Sequence, residues 1–254
     1  AILATTLAIA DDWTPIFNGE DLSGWSVQCK PADAEKDYWS VNNGAIQCNS
    51  IGNPDHDYVW LATDQEYDDF ELRLQFQIFD SSKGNSGVQV RSRYDSSETA
   101  RGGGWLNGPQ IDIHPPTPLR CGLIYDETDG VNRWIYPSLP NSKIVPEAAP
   151  PAAHETEFAY ADDDPNAWNS MRIRCVGMKI ETWVNGRKIT DFDASGILDD
   201  EKHQSKNVGE RGVIALQLHS RNELLIRFRE IEIREATASV AASRPNLVIV
   251  YADQ

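Results

Sequence analysis

Three stretches of the chain place proton-transferring and hydrogen-bonding side chains on alternate residues. They are Gly84 to Arg93, Gln110 to His114, and Ala215 to His219. In an extended strand, period-2 alternation sends Val88, Val90, Ile111, Ile113, Leu216 and Leu218 to one face. Gln89, Arg91, Gln110, Asp112, His114, Gln217 and His219 go to the other. A sheet face that only meets water usually carries Lys, Glu, Thr and Ser. Arg91, Asp112, His114 and His219 are instead the types that hold an anionic oxygen or move a proton near neutral pH. The glutamines are suited to gripping the hydroxyls of a polyol.

The elements around these residues read as short strands joined by turns. Strands are predicted over 38–41, 45–48, 70–79, 87–93, 110–114, 122–125, 169–176, 179–184, 187–191, 212–219 and 224–234. Asn185-Gly186 and Asn43-Gly44 mark hairpins, because Asn-Gly accepts the positive φ angles of a type I′ turn. No long 3.6-residue period stands out. The pattern predicts an all-β sandwich or jelly roll. Residues 94–108 carry Arg101-Gly-Gly-Gly-Trp105, expected as a flexible loop with an exposed aromatic. Residues 126–165 are proline-rich and aperiodic, expected as a lid with Trp134 and Tyr136 turned to a ligand.

Among the 254 residues the net charge is −16, which opposes nucleic acid and anionic membranes as partners. Eight Trp and eight Tyr against two Met favour strands and sugar-stacking surfaces. The apolar run 1–10, closing on Ala8-Ile9-Ala10, reads as the remnant of an export signal, which implies a secreted or periplasmic location. No later stretch has the length of a membrane span. Cys29, Cys48, Cys121 and Cys175 allow three pairings, Cys29 with Cys48 being the most local; buried free thiols are the alternative. No CxxC pair indicates a zinc or redox site.

The segment 236–243 reads as a linker. Residues 244–254, starting Arg244-Pro245-Asn246, resemble the opening strand of sulfatases, cut short. Only Asp253 matches a metal-binding aspartate of that strand, and no Cys/Ser-x-Pro-x-Arg nucleophile motif is present. This implies a truncated covalent fusion to a sulfatase domain rather than sulfatase activity.

A series of motifs runs in unbroken order through residues 13–235. It opens with Phe17-Asn-Gly-Glu-Asp-Leu-Ser-Gly-Trp25, then Trp39 to Gly44 and Asp69-Phe-Glu-Leu72. Gly84-Asn-Ser-Gly87 with Arg91, the Gly108 to His114 strand and Cys121-Gly-Leu-Ile-Tyr125 follow. Trp183-Val-Asn-Gly186, Leu216-Gln-Leu-His219 and Arg227-Phe-Arg-Glu-Ile231 complete it. In these motifs the chain resembles the 3-keto-disaccharide hydrolase family. The resemblance implies a concanavalin/laminarinase-like β-sandwich of two antiparallel sheets with a concave ligand face. It also implies cleavage of the glycosidic bond in sugars oxidised to a ketone at C3.

One departure matters. Where the family commonly carries a Glu on its central strand, this chain has Gln110. Two carboxylates on alternate strand residues would lie about 6.6 to 6.8 Å apart, and a retaining glycosidase needs a pair at about 5 to 5.5 Å. A neutral amide can be neither nucleophile nor acid, so an ordinary retaining mechanism is not expected. A 3-keto sugar does not require that pair, because the ketone acidifies the C2 proton and the group on C1 lies β to the carbonyl. His114, Asp112 and His219 are then the base candidates, and Arg91 the holder of the enolate oxygen. Gln89, Gln110, Gln217, Trp105 and Tyr125 are the candidates for binding an oligosaccharide or 3-keto-disaccharide. No cofactor is expected; a divalent metal on Asp112, His114 and His219 is the alternative arrangement. The competing function is a non-catalytic carbohydrate-binding module attached to a sulfatase.

Overall fold

The computed structural model describes residues 6–82 and 84–239. Its strands in chain order begin with β1 (Thr6–Ile9), β2 (Thr14–Pro15), β3 (Trp25–Cys29), β4 (Trp39–Asn42), β5 (Ala45–Asn49) and β6 (Val59–Tyr67). There follow β7 (Phe70–Ile78), β8 (Ser86–Asp95), β9 (Trp105–Asn107), β10 (Pro109–Ile113), β11 (Ile124–Asp126) and β12 (Arg133–Tyr136). The last are β13 (Asn169–Val176), β14 (Lys179–Val184), β15 (Arg187–Asp193), β16 (Gly212–Leu218) and β17 (Leu225–Ser239). Two short helices, α1 (Pro151–His154) and α2 (Glu201–Lys206), lie on connections.

The strands form two antiparallel sheets. One runs β15-β14-β13-β7-β17-β5-β4, with β1 and β2 also paired to β17. The other runs β12-β11-β10-β8-β16-β6-β3, with β9 against β8. Their inner faces share one core. Val88, Val90, Ile111, Ile113, Leu216 and Leu218 meet Leu72, Phe76, Ile173 and Phe228 of the facing sheet. The expected alternation therefore holds except at Arg91, and Gln89, Gln110, Asp112 and Gln217 fall on the outer face of the second sheet. Both hairpins form as expected: Asn43 and Gly44 have φ of 51° and 75°, Asn185 and Gly186 of 49° and 77°.

Several expectations are corrected. Residues 236–239 are not a linker: they continue β17 and pair with β1, so Thr6 faces Ser239 and Ile9 faces Ala236. The end of the apolar N-terminal run is thus a strand, while the sulfatase-like segment 244–254 lies outside the described residues. Cys29 and Cys48 sit in different sheets, and all four cysteines are free thiols. The 126–165 segment is not structureless. It contains β12 and α1, and Trp134 is buried, donating its Nε1–H to Ser142 O at 3.0 Å rather than facing a ligand. No helix among the described residues is long and apolar enough to cross a membrane.

Candidate functional site

On the outer face of the second sheet lies a polar cleft of about 610 Å³. Its floor is β10, which presents Gln110 and Asp112, with His114 one residue beyond the strand. Gly87 on the neighbouring β8 leaves room for that floor, since a Cβ there would come within 2.5 Å of Gln110 Cδ. Tyr125 of β11 and Glu127 just after it form one wall. Tyr58, preceding β6, and His219, following β16, also line the cleft.

Asp112 is 1 % exposed and already paired. Its Oδ2 accepts from Arg120 Nε at 2.9 Å and its Oδ1 from Gln110 Nε2 at 3.3 Å. Burial raises its carboxyl, with Arg120 working against the rise. Asp112 thus fixes the orientation of Gln110, whose buried Oε1 has no partner among the described residues. The buried Oδ1 of Asn85, also lining the cleft, is likewise unpartnered. Buried acceptors of this kind are uncommon and call for a donor, such as a ligand hydroxyl.

The two histidines are set up for different work. His114 Nδ1 lies 3.1 Å from Thr117 N–H and also contacts the Thr117 hydroxyl. A nitrogen receiving an amide N–H is an acceptor, so the proton of the neutral ring sits on Nε2. Burial, with Arg120 and His219 nearby, pushes His114 down to about 4. It is a neutral hydrogen-bond donor. His219 has the opposite tautomer: its Nδ1 meets the Ser220 carbonyl at 3.1 Å and must donate, so Nε2 accepts from the Tyr58 hydroxyl at 2.8 Å. Burial lowers its basicity too, and the ring is a neutral acceptor.

Glu127 completes the set. Its carboxyl is buried and Oε1 accepts from Gln217 Nε2 at 3.3 Å. Burial pushes it up to about 7, against the hydrogen bond from Gln217 and the charge of Arg101. Near neutral pH this carboxyl holds its proton about half the time, as a general acid must. Its backbone is pinned by Trp105 Nε1, which donates to Glu127 O at 2.6 Å.

The structure therefore brings Gln110, Asp112, His114, Tyr125 and His219 into one cleft and places the other candidates elsewhere. Arg91 does not reach it. β8 carries a bulge there, since Gln89 pairs with Ala215 and Ser92 with Val213, and the extra residue breaks the alternation. Arg91 takes φ 48° and its guanidinium is buried on Asp68 O (2.7 Å), Gly177 O (2.6 Å), Gly209 O (3.3 Å) and Asp69 Oδ1 (2.9 Å). Gln89 is buried, donating to Leu106 O at 3.1 Å. Gln217 acts on Glu127 from beneath. Trp105 is not an exposed aromatic: it is 2 % exposed, edge-on to Tyr58 and Trp60, with the Arg101 guanidinium 3.7 Å over its ring.

The metal arrangement is not supported. No group of three His, Cys, Asp or Glu side chains among the described residues is placed to hold an ion. Asp112 is committed to Arg120, His114 Nδ1 to Thr117, and His219 Nε2 to Tyr58.

Tyr58, Arg120 and Glu127 escaped the sequence reading. Glu127 follows the end of β11, inside the stretch expected as a loop, and Arg120 sits on a 3-10 turn (Pro118–Arg120). Tyr58 had a readable signal, its alternation with Trp60, on which it stacks at 5.6 Å.

Solved structures with related folds include two from Parabacteroides distasonis described as "putative glycosyl hydrolase". One is 16 % identical with a TM-score of 0.55, covering 88 % of this chain and 93 % of that one. The other is 22 % identical with a TM-score of 0.51, covering 89 % and 100 %. A Bacillus subtilis protein with a galectin-like fold is 10 % identical with a TM-score of 0.52, covering 93 % and 100 %. Curated proteins return no match. These likenesses establish the fold. The family assignment comes from sequence: the profile described as a 3-keto-alpha-glucoside-1,2-lyase-like domain matches residues 12–234, and the chain belongs to that family.

Proposed function

We propose that the chain cleaves 3-keto-glycosides by removing the C2 proton and expelling the group on C1. The observation that carries this reading is that one cleft holds a carboxyl raised to about 7, Glu127, together with an uncharged imidazole, His219. Elimination beside a ketone needs that complement: a base for C2–H, a donor for the enolate oxygen and an acid for the departing oxygen. His114 Nε2–H supplies the donor in place of Arg91. Its low basicity suits the task, because a neutral imidazole donates without transferring its proton. Gln110 Oε1 and Asn85 Oδ1 would accept from sugar hydroxyls, and Tyr125 offers an aromatic edge to the ring.

The test is incubation of purified protein with 3-keto-trehalose or 3-keto-lactose, with release of the leaving sugar followed by chromatography. Cleavage is expected in the wild type, with a 10² to 10⁴-fold loss in Glu127→Gln. Failure to cleave any 3-keto-glycoside would overturn the reading. A second reading, sugar binding without turnover, draws on Gln110 standing where a carboxylate is expected and on Asp112 being tied to Arg120. It predicts saturable binding of unoxidised oligosaccharides with no product.

A further inference from the structure

We infer that Tyr58 is the residue that meets the reacting proton, and that His219 acts only behind it as the acceptor of a relay. This rests on the elimination reading and assigns its base.

The hydrogen bonds of His219 leave no other route. Its Nδ1–H is spent on the Ser220 carbonyl and its Nε2 lone pair on the Tyr58 hydroxyl. An imidazole with both nitrogens engaged inside the protein cannot take a proton from a ligand unless one partner moves. The partner of Nε2 is itself a wall of the cleft. A proton arriving at Tyr58 O while the hydroxyl proton passes 2.8 Å to Nε2 requires no such movement.

The phenol is held for this work. Its ring is stacked on Trp60 at 5.6 Å and crossed by the edge of Trp105 at 4.8 Å and by His219 at 4.6 Å. Trp105 also fixes the Glu127 backbone, so one indole positions both the relay and the acid. Burial and the Glu127 charge push the phenol's ionisation up, with Ser220 and Arg101 opposing. A free phenolate is therefore not the base, and the two proton movements must be coupled.

The step balances. The C2–H electron pair becomes the C2–C3 double bond of an enolate as the proton goes to Tyr58 O and the tyrosyl proton to His219 Nε2. The enolate then re-forms C3=O, a C1–C2 double bond forms, and the C1–O bond breaks with its oxygen taking the Glu127 proton. A neutral acid and a neutral imidazole thus become a carboxylate and an imidazolium together, and the charge of the cleft is unchanged. Return of one proton from His219 to Glu127 through solvent restores the site.

The experiment separates the two halves. Wild type, Tyr58→Phe, His219→Gln and Glu127→Gln are incubated with 3-keto-trehalose in D₂O, and C2 deuteration and sugar release are followed by NMR. Tyr58→Phe and His219→Gln are each expected to lose deuteration and release together, by 10² to 10⁴-fold. Glu127→Gln should lose release far more than deuteration. Wild-type turnover with Tyr58→Phe within threefold in both readouts overturns the relay and leaves the elimination standing. A wild type that neither deuterates nor cleaves the sugar overturns both. Should Tyr58→Phe fail to fold, judged by near-ultraviolet dichroism, the wild type decides: a slower loss of a C2 label in D₂O than in H₂O is expected from the tyrosyl proton in flight, and equal rates in the two solvents overturn the relay.

Discussion

A buried carboxyl lining a cleft still holds part of its proton near pH 7 only because ionising it there is costly, and that cost is borne by the folded state. Glu127 lies at about 7 when folded against an ordinary value of 4.5. The unfolded chain therefore releases this proton first as pH rises, so stability falls between about pH 4.5 and 7 and is then level. The difference corresponds to roughly 3 kcal/mol at one pKa unit per 1.36 kcal/mol. Glu127→Gln is expected to unfold at higher urea than wild type at pH 8 and at similar urea at pH 4, while losing activity. Arg91 behaves the other way. Its buried guanidinium ties together the 68–69 turn, Gly177 and Gly209. Removing one partner of such a network costs about 3 to 5 kcal/mol. Arg91→Met should lower the urea midpoint strongly, yet leave turnover per folded molecule near wild type.

At the scale of elements, the segment that carries Glu127 is anchored from behind. Asp126, at the end of β11, accepts from His203 Nε2 at 3.0 Å, and His203 Nδ1 meets Asp200 at 2.7 Å. Asp200 also caps α2 through the amides of Lys202 and His203, both at 3.0 Å. Burial opposes a charge on His203, but the two carboxylates outweigh it and hold the imidazole above its usual value. A raised histidine contributes stability that is complete below its unfolded value near 6.5 and is lost as pH rises through the folded one. His203→Gln should therefore depress the melting temperature more at pH 6 than at pH 9, as measured by calorimetry. The β8 bulge belongs to this scale too. One extra residue opposite β16 turns Arg91 out of the shared polar face, a register event that residue types in β8 alone do not announce.

For the molecule as a whole, two packed sheets supply a rigid frame, and the connections supply the site. Tyr58, His114, Glu127 and His219 lie immediately beside strand ends and Arg120 on the turn between β10 and β11, where side chains escape the strict alternation of the sheet. A ligand that binds only the folded state stabilises it by about 2.7 kcal/mol at a hundred times its Kd. For a domain of this size that is a rise of roughly 5 to 11 °C in melting temperature. A 3-keto-disaccharide should produce this shift in Glu127→Gln, where its cleavage is slowed. Adding Gly87→Ala, whose Cβ would collide with Gln110, should blunt it at equal ligand concentration.

The faces of the central strands were decided locally. Alternating apolar residues in β8, β10 and β16 put Val88, Ile111 and Leu216 in the core whatever the neighbours, and Asn-Gly pairs set two hairpins by φ preference alone. The shared outer face of Gln110 and Asp112, and the nearness of His114 and His219, follow from that period and the strand order. The working state of each group was decided only in three dimensions. A glutamate becomes an acid near pH 7 by losing water, an arginine becomes a staple by meeting four oxygens from distant turns, and a histidine becomes an acceptor because a carbonyl claims its other nitrogen. Desolvation and hydrogen-bond partnership depend on residues far apart in the chain, so they enter with tertiary packing and not before.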